Sequence, residues 1–355
     1  MRNKTKIIVA LLLPFQVIVL QILKNYPTFI EQYYSQGLYL IISKISRYLF
    51  GWIPFSMGDI FYLLIGVLAI RWIYKNILRL TYEPIRFFTD IVATLSIVYF
   101  VFNVLWGLNY YRVPLHKSLD LKTEYTLEQL IETTNGLISK SNEMHRKLGY
   151  KDSIMVDIPY THKQVYEKSV NGYHNLESEY PYLAYQPKSI KSSSWSLGLT
   201  YMGYSGYYNP FSGEAQVNRL IKIHKYPVVT CHEQAHQLGY AAENEANFIA
   251  MLATLYNDDP YIQYTGYIFA LRYCVNEIAR RDLDKYHEIV ETINPGILAS
   301  YKEMRDFWAS YENPFEEISK SFWDHFLKAN NQSKGIMSYN YMVALVVNHF
   351  EHTKM

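Results

Sequence analysis

Charge and cysteine are both scarce in this chain. Only 19% of its 355 residues are charged, and the formal net charge is +2. No long run of Lys or Arg occurs, which argues against nucleic acid as a partner. The two cysteines, Cys231 and Cys274, are too few for a disulfide framework, although one bridge between them stays open. The sequence also lacks fixed-period repeats and low-complexity tracts, which excludes solenoids and repeat arrays.

Apolar and aromatic residues are abundant instead. Half of the residues are hydrophobic and 35 are tyrosines, which suit boundaries between apolar and wet surroundings. Three N-terminal stretches predict transmembrane helices at about residues 7–23, 59–78 and 90–110. The first has no small-x-small cleavage site after it, so we expect a retained anchor rather than a signal peptide. Residues 34–57 are aromatic but interrupted by charge, which favours a segment lying on the membrane surface. Residues 1–111 are thus a predicted multi-pass membrane region.

Basic residues flank the predicted spans on one side. Three precede the first span, and three more lie between residues 75 and 86. With three spans, both groups face the same side of the membrane, and the positive-inside tendency assigns that side to the cytoplasm. Residues 112–355 are then expected outside the cytoplasm. Losing one span would invert this assignment.

Residues 112–355 are long enough to form a domain with its own core. Thr126 and Gln129 predict a capping box at the start of a helix, and a second helix is expected near 162–179. Residues 189–217 are rich in Ser, Gly, Tyr and Asn, which indicates loops and short strands. The remainder is helical in pattern and punctuated by prolines. The predicted fold class is mainly α (α+β), with N-terminal transmembrane helices followed by a helical domain that carries a small β-sheet.

An H-E-x-x-H motif occupies residues 232–236. Positions i and i+4 of a helix share a face, so the imidazoles of His232 and His236 can converge on one ion. Glu233 projects about 100° around the helix, where it can reach a metal-bound water without ligating the metal. In a chain of this composition the motif is expected by chance roughly 0.02 times. A functional metal centre is therefore favoured over a surface helix that happens to carry two histidines.

The residues around the motif predict how the site is completed. Pro227 suits the first turn of the motif helix, and Gly239 suits its left-handed end. Glu243 and Glu245 compete as the third ligand, because on the first turn of a following helix they point about 200° apart. Glu243 is favoured, since it places Asn247 one turn later on the same face, where it can support a ligand imidazole. Glu245 stays the alternative ligand.

Here the sequence resembles known families. Residues 232–236 with an acidic third ligand resemble the gluzincin group of zinc metallopeptidases. Residues 243–248 are similar to the E-x-x-A-D/N helix of several members, whose first Glu binds zinc, although those families place it further downstream. The His-x-x-Gly step resembles the metzincin turn, but a Glu replaces the third His and no separate Met-turn is evident. The three spans, residues 206–215 and the motif together resemble a bacterial membrane-protein family filed as a domain of unknown function, over most of the chain.

The gluzincin resemblance implies a zincin-like domain, Zn²⁺ as the cofactor and peptide-bond hydrolysis. Glu233 would act as the general base toward a zinc-activated water and then pass the proton to the leaving amine. By analogy with zincins, residues 214–221 are expected to form an edge strand that pairs with substrate, and a tyrosine from 201–208 is a candidate oxyanion donor. The expected location is a bacterial cytoplasmic (inner) membrane, with the catalytic domain extracytoplasmic.

Two other functions stay open at this point. One is a non-catalytic binding module on a zincin scaffold, and the other is an envelope metallohydrolase that acts on small molecules. An intramembrane protease is disfavoured, because residues 226–247 are too polar and too short to form a span. The expected partners are a peptide or protein substrate and the lipid bilayer, and the oligomeric state is left open.

Overall fold

The N-terminal third is built from helices. The computed structural model describes residues 3–335, 337 and 341–353. Its first helices are α1 (Asn3–Leu23), α2 (Pro27–Phe29), α3 (Tyr39–Gly51), α4 (Met57–Asn76), α5 (Arg79–Tyr82) and α6 (Pro84–Leu105). A π-helical segment (Ile30–Leu38) precedes α3, and a 3₁₀ turn (Gly107–Tyr111) follows α6.

Three of these helices are long and apolar enough to cross a membrane, as predicted. The segments are Lys4–Leu23, Met57–Asn76 and Pro84–Leu105. The third begins earlier than expected, because Pro84 occupies the first turn of α6, where its missing N–H costs nothing. It also ends earlier, because Trp106 leaves the helical backbone at φ −161°. The chain therefore has an N-terminal region consistent with membrane association.

Ion pairs tie the basic ends of these helices together. Lys6 of α1 pairs with Asp90 of α6 at 2.7 Å, and Arg79 pairs with the same carboxylate at 3.0 Å. The chain start and the connection between α4 and α6 therefore lie at the same end of the helical bundle. That arrangement is the one that a three-span topology requires.

The later part of α3 buries polar residues and exposes apolar ones. Ser43 and Arg47 of α3 are buried against the rest of the protein, whereas Ile41, Ile45 and Trp52 are exposed. A helix normally buries its apolar face in a water-soluble protein. The inverted pattern fits the prediction that this segment lies against a membrane surface.

The remaining chain is mainly helical. Its helices are α7 (Leu115–Ser118), α8 (Leu127–Lys147), α9 (His162–Glu177), α10 (Ser196–Tyr201), α11 (Tyr226–Gln237), α12 (Glu243–Leu255), α13 (Pro260–Arg281), α14 (Leu283–Val290), α15 (Pro295–Ala309), α16 (Pro314–Ala329) and α17 (Met342–Thr353). Short 3₁₀ turns occupy Pro181–Leu183 and Ile223–Lys225. The predicted capping box of Thr126 and Gln129 is present at the start of α8. The mainly α fold with a small sheet is confirmed.

The sheet has three short strands, β1 (Ile190–Ser192), β2 (Gly206–Asn209) and β3 (Glu214–Val217), in the order β1-β3-β2. β3 runs parallel to β1 and antiparallel to β2. The prediction that residues 214–221 form an edge strand is therefore wrong. β3 is central and ends at Val217, and all four of its residues are buried, as a strand paired on both sides requires. The edge next to the motif helix belongs to β2.

The start of α4 docks on this sheet through two buried carboxylates. Asp59 accepts a hydrogen bond from the Ser194 backbone N–H at 2.6 Å. Glu214 of β3 accepts one from the Gly58 N–H at 2.6 Å and pairs with Lys191 at 3.2 Å. The second candidate span therefore begins directly against the sheet, and orphan N–H groups of its first turn are satisfied by the sheet's own side chains.

Helix α12 runs through the middle of the main core. Almost every residue of α12 is buried, which marks a helix covered on all sides. Gly172 of α9 allows the closest approach, because a Cβ there would lie 1.7 Å from the Ala253 carbonyl oxygen. Cys231 and Cys274 are buried free thiols, so the bridge left open by the sequence does not form. Both behave as small core residues.

Candidate metal centre

The motif helix begins and ends as its sequence predicts. Pro227 occupies the first turn of α11, and the helix stops at Gln237. Gly239 adopts φ +87°, a left-handed conformation that favours glycine, and Tyr240 N–H bonds back to the Ala235 carbonyl at 3.2 Å. This turn sends the chain directly into α12. Two helices that carry candidate ligands are thereby joined by only five residues.

Three side chains converge where α11 meets α12. The rings of His232 and His236 are perpendicular, with centroids 4.6 Å apart. Glu243, the first residue of α12, places Oε2 3.1 Å from His232 Nε2 and 3.7 Å from His236 Nε2. One ligand atom of each of the three residues lies within 4.8 Å of the others. Two imidazole nitrogens and one carboxylate oxygen in this arrangement match the donors that zinc takes in catalytic sites, where a fourth position stays open.

The two histidines have different second contacts. His236 Nδ1 lies 2.7 Å from the Tyr240 carbonyl oxygen, so it carries the proton and leaves the Nε2 lone pair for a ligand. His232 Nδ1 is buried and has no hydrogen-bond partner among the described residues. Asn247 lies beside His232 and contributes to its electrostatic environment, but its amide donates to the Tyr273 hydroxyl at 3.3 Å. The role predicted for Asn247 stays a prediction.

Glu233 is buried next to this triad. Burial, together with the charge of Glu243, raises the pKa of Glu233 to about 8, against a lowering effect of His236. Its Oε2 atom has no hydrogen-bond partner among the described residues. Its Oε1 atom packs against Gly206 of β2, where a Cβ would approach to 2.6 Å. A carboxyl group whose pKa lies near neutrality and whose free oxygen is available can accept and return a proton.

Charge couples the triad in the metal-free chain. Burial lowers the pKa of His236, but the carboxylate of Glu243 outweighs it and raises that pKa to about 9. Burial has the opposite effect on Glu243, yet the two histidines hold its pKa well below the usual range. For His232, burial is the largest effect and lowers the pKa. The negative charge of Glu243 thus favours a positive charge on the histidine side of the site.

Glu245 is not part of this group. Its carboxylate accepts a hydrogen bond from the Leu115 backbone N–H at 2.6 Å, on another side of α12. Burial raises the pKa of Glu245 to about 7, and the Leu115 N–H and Arg112 lower it in part. The 200° separation expected for residues two apart on a helix thus sends Glu243 toward the histidines and Glu245 away from them.

Residues of the N-terminal region hold the end of the motif helix. The last carbonyls of a helix have no partner within it. Trp106 Nε1 donates to the His236 carbonyl at 3.2 Å, and the Tyr39 hydroxyl and Ser43 Oγ donate to the Gln237 carbonyl at 3.0 and 2.7 Å. Sequence reasoning missed these contacts, because they join positions more than 120 residues apart.

Three of the four tyrosines in the range predicted for the oxyanion donor have other hydrogen-bond partners. Tyr207 donates to Asp59, Tyr208 shares a hydrogen bond with Tyr39, and Tyr204 donates to the Ser319 carbonyl. Tyr110, which the sequence did not single out, has a buried hydroxyl without a partner among the described residues. Burial and then the charge of Glu243 raise its pKa well above the usual value, so this hydroxyl stays protonated and able to donate.

Comparison with known proteins adds one result. A family model described as "Protein of unknown function (DUF3810)" matches residues 34–347. No curated protein and no solved structure matches the chain. The matched residues include α3, two of the candidate spans, the triad and Glu233.

Proposed function

The chain belongs to the DUF3810 family, whose function is unknown, and we propose that it is a zinc-dependent metallopeptidase anchored in a membrane. The observation that carries the proposal is the buried, unpaired carboxylate oxygen of Glu233 beside His232, His236 and Glu243. A metal site that serves only structure needs no such group, because its ligands close the coordination sphere. A carboxylate that touches the site without belonging to it indicates a reaction in which a proton moves.

His232, His236 and Glu243 would hold the zinc ion. When bound, zinc would supply Lewis acidity for polarising a carbonyl group and acidifying water. Glu233 accepts the proton of the attacking water, and its Oε2 atom is free to do so. The same carboxyl group then donates that proton to the leaving amine. A bound zinc ion would favour the ionised form of the buried Glu233 carboxyl group, which could then accept a proton.

Strand β2 is the proposed track for the substrate backbone. It lies at an edge of the sheet, and its first residue, Gly206, packs against Glu233. Extended peptides bind such edges by adding a strand, so that main-chain hydrogen bonds give affinity. A peptide paired with β2 would place a bond beside Glu233. This strand replaces the one that the sequence suggested.

The site is proposed to lie outside the cytoplasm of a bacterial inner membrane. Lys6 and Arg79 pair with the same residue, Asp90, which supports one common side for both groups of basic residues. The positive-inside tendency makes that side the cytoplasm. A reporter enzyme fused after residue 355 should be active only outside the cytoplasm, and activity inside would overturn the orientation.

Two variants of the full chain in detergent test the activity. His236→Ala should lose the zinc that elemental analysis finds at one equivalent in the wild-type protein, while His174→Ala, on the exposed face of α9, keeps it. Glu233→Gln should keep the zinc but hydrolyse unstructured peptides roughly 10²–10⁴-fold more slowly. A wild-type protein that holds no zinc, or a Glu233→Gln variant with undiminished hydrolysis, would refute the proposal.

A further inference from the structure

A cavity of about 550 Å³ opens between the start of α11 and helices α13 and α15. Three observations connect it to the candidate metal centre. Val228, which lines it, precedes His232 by one helical turn and shares its face of α11. Tyr273, another lining residue, accepts the hydrogen bond from Asn247 beside His232. Lys225, which lines the cavity just before α11 begins, donates to Ser205 Oγ at 3.0 Å, next to the strand that packs on Glu233.

The cavity carries positive charge that the described residues do not neutralise fully. Lys225, Arg272 and Arg280 line it. Arg280 pairs with Glu277 at 2.6 Å. Within the part of the chain that the structure describes, Lys225 and Arg272 form no ion pair and instead approach the ring faces of Trp308 and Tyr301. Two cations thus face the same space without a carboxylate between them.

The neighbouring titratable groups do not supply the missing negative charge. Glu303, on the adjacent turn of α15, is engaged by Lys222 at 3.0 Å and by His224 at 3.4 Å. Burial lowers the pKa of His224 to about 4, so its ring is neutral at pH 7. Burial also lowers the pKa of Lys225 to about 8, and the charge of Arg272 adds to this effect. Holding two cations together is therefore costly, and an anion between them would relieve the repulsion.

Four aliphatic or aromatic side chains also line the cavity, beside the polar Thr265 and Asn276. Val228, Ile268, Phe269 and Met304 form walls that suit an aliphatic stem, while Arg272 and Lys225 suit a charged end. A volume of this size accommodates an amino-acid side chain and part of the adjoining backbone. The chemistry of the lining matches a carboxylate on a short apolar stem.

We propose that this cavity is the specificity pocket of the metal centre and that it binds a carboxylate of the peptide substrate through Arg272 and Lys225. The peptide is a substrate only if the peptidase activity proposed above holds, and the proposal rests on it to that extent. Binding of the peptide itself does not require hydrolysis. The carboxylate can belong to an Asp or Glu side chain or to the C-terminus of the peptide. Both sources share the same recognition chemistry, and the experiment separates them.

The test measures peptide binding to the full chain in detergent. It uses the Glu233→Gln variant, in which peptide hydrolysis is slowed. Three fluorescent peptides differ in one group each: an internal Glu with an amidated C-terminus, an internal Gln with an amidated C-terminus, and the internal Gln with a free C-terminus. Fluorescence anisotropy should show one of the two acidic peptides binding roughly 10- to 100-fold more tightly than the neutral one, as charged hydrogen bonds contribute. The tighter of the two identifies the source of the carboxylate.

Variants on one helix show whether the pocket is responsible. In the same background, Arg272→Gln should lower the ratio of affinities for the acidic and neutral peptides at least about tenfold. Arg272→Lys should keep part of that preference. Arg281→Gln is the matched control, since it removes the same charge from α13 outside the cavity. Thermal melting of each variant identifies any that fails to fold, and for such a variant Lys225→Met takes its place.

The outcomes separate the pocket from the peptidase. Equal binding of acidic and neutral peptides, or equal effects of Arg272→Gln and Arg281→Gln, would refute the pocket and leave wild-type hydrolysis untouched. An acidic preference that depends on Arg272 in a wild-type protein that cleaves none of the peptides would refute the peptidase and leave the acid-binding cavity standing.

Discussion

Glu243 and Glu245 lie two residues apart, but their surroundings predict that the same substitution changes zinc affinity to very different extents. Glu243→Gln replaces a charged oxygen that faces both histidines, and we expect the zinc affinity to fall by more than about 100-fold, beyond what loss of an outer-shell contact costs. Glu245→Gln keeps an oxygen that can accept from the Leu115 N–H, so the affinity should change by less than about threefold. Competition with a chromophoric chelator measures both. Equal losses would place the third ligand elsewhere.

His236 should make zinc affinity rise with pH. Its pKa in the metal-free chain is raised to about 9, and a zinc ligand must be neutral, so below pH 9 each bound zinc displaces a proton. The apparent zinc affinity should therefore rise about tenfold per pH unit between pH 7 and 9 and level off above. Chelator competition at three pH values checks the slope.

The background for this measurement is Glu233→Gln. The pKa of Glu233 is itself raised to about 8, and its proton would add to the slope in the wild-type protein. Because the charge of Glu233 also helps to raise the pKa of His236, the affinity in this background should level off below pH 9. Calorimetry in two buffers of different ionisation enthalpy counts the protons released directly. An affinity that does not change with pH in this background would mean that His236 is already neutral when zinc arrives.

At the scale of elements, the contact between β2 and α11 leaves no room for one added carbon beside Glu233. A Cβ on Gly206 would lie 2.6 Å from Glu233 Oε1 and 2.7 Å from the Gln216 carbonyl oxygen. Since the strand backbone cannot retreat from its partner, Gly206→Ala should displace the Glu233 side chain. We expect kcat/KM to fall by roughly 10- to 100-fold, as for a catalytic group moved by about 1 Å, with zinc retained.

Gly198 provides the control for this substitution. It lies in α10, and an added Cβ there would meet nothing within 4 Å. Gly198→Ala should leave activity unchanged and stabilise the helix by about 0.5–1 kcal/mol. Peptide hydrolysis and elemental analysis of the two variants give the comparison. If both behave alike, β2 does not position Glu233.

Local patterns predicted the elements whose cause is local. The capping box of α8, the ends of α11 and the three apolar helices follow from neighbours in the sequence. The convergence of His232, His236 and Glu243 was likewise within reach, because helix geometry and one short turn determine it. The central position of β3 could not be predicted from its own residues. Whether a strand is central depends on partners such as β1, which lies more than 20 residues upstream. Edge or centre is a property of the sheet.

At the scale of the whole molecule, the predicted boundary at residues 111 and 112 is crossed by many contacts. Arg112 pairs with Glu31 at 2.6 Å and donates to the Gly239 carbonyl at 3.0 Å. Trp106 packs edge-on against the His236 ring, with centroids 6.0 Å apart. Composition alone separates an apolar region from a polar one, but it does not show that the first region forms one wall of the site in the second. The segments that flank the candidate membrane helices, among them α3 and the residues just after α6, therefore support the candidate metal centre.

This support predicts the behaviour of a fragment that begins at Arg112. The fragment lacks the donors of Trp106, Tyr39 and Ser43, so the last carbonyls of α11 lose three buried hydrogen bonds, each worth about 1 kcal/mol. Those carbonyls are the ones of His236 and of the next residue, Gln237, so the His236 ring should be held less firmly. We expect zinc affinity at least about tenfold lower than in the full chain, measured in the same detergent by chelator competition.

A full-chain variant separates loss of these hydrogen bonds from loss of the helices as a whole. Ser43→Ala removes one donor to the Gln237 carbonyl and should lower the free energy of unfolding by about 1 kcal/mol and the zinc affinity by a few-fold. Ser178→Ala, which removes an exposed hydroxyl bonded only within its own helix end, is the control and should change neither. A fragment that binds zinc as tightly as the full chain would show that the metal centre is complete without the N-terminal region. Intermediate affinity of Ser43→Ala, between the fragment and the wild type, is expected if that region holds the motif helix in place.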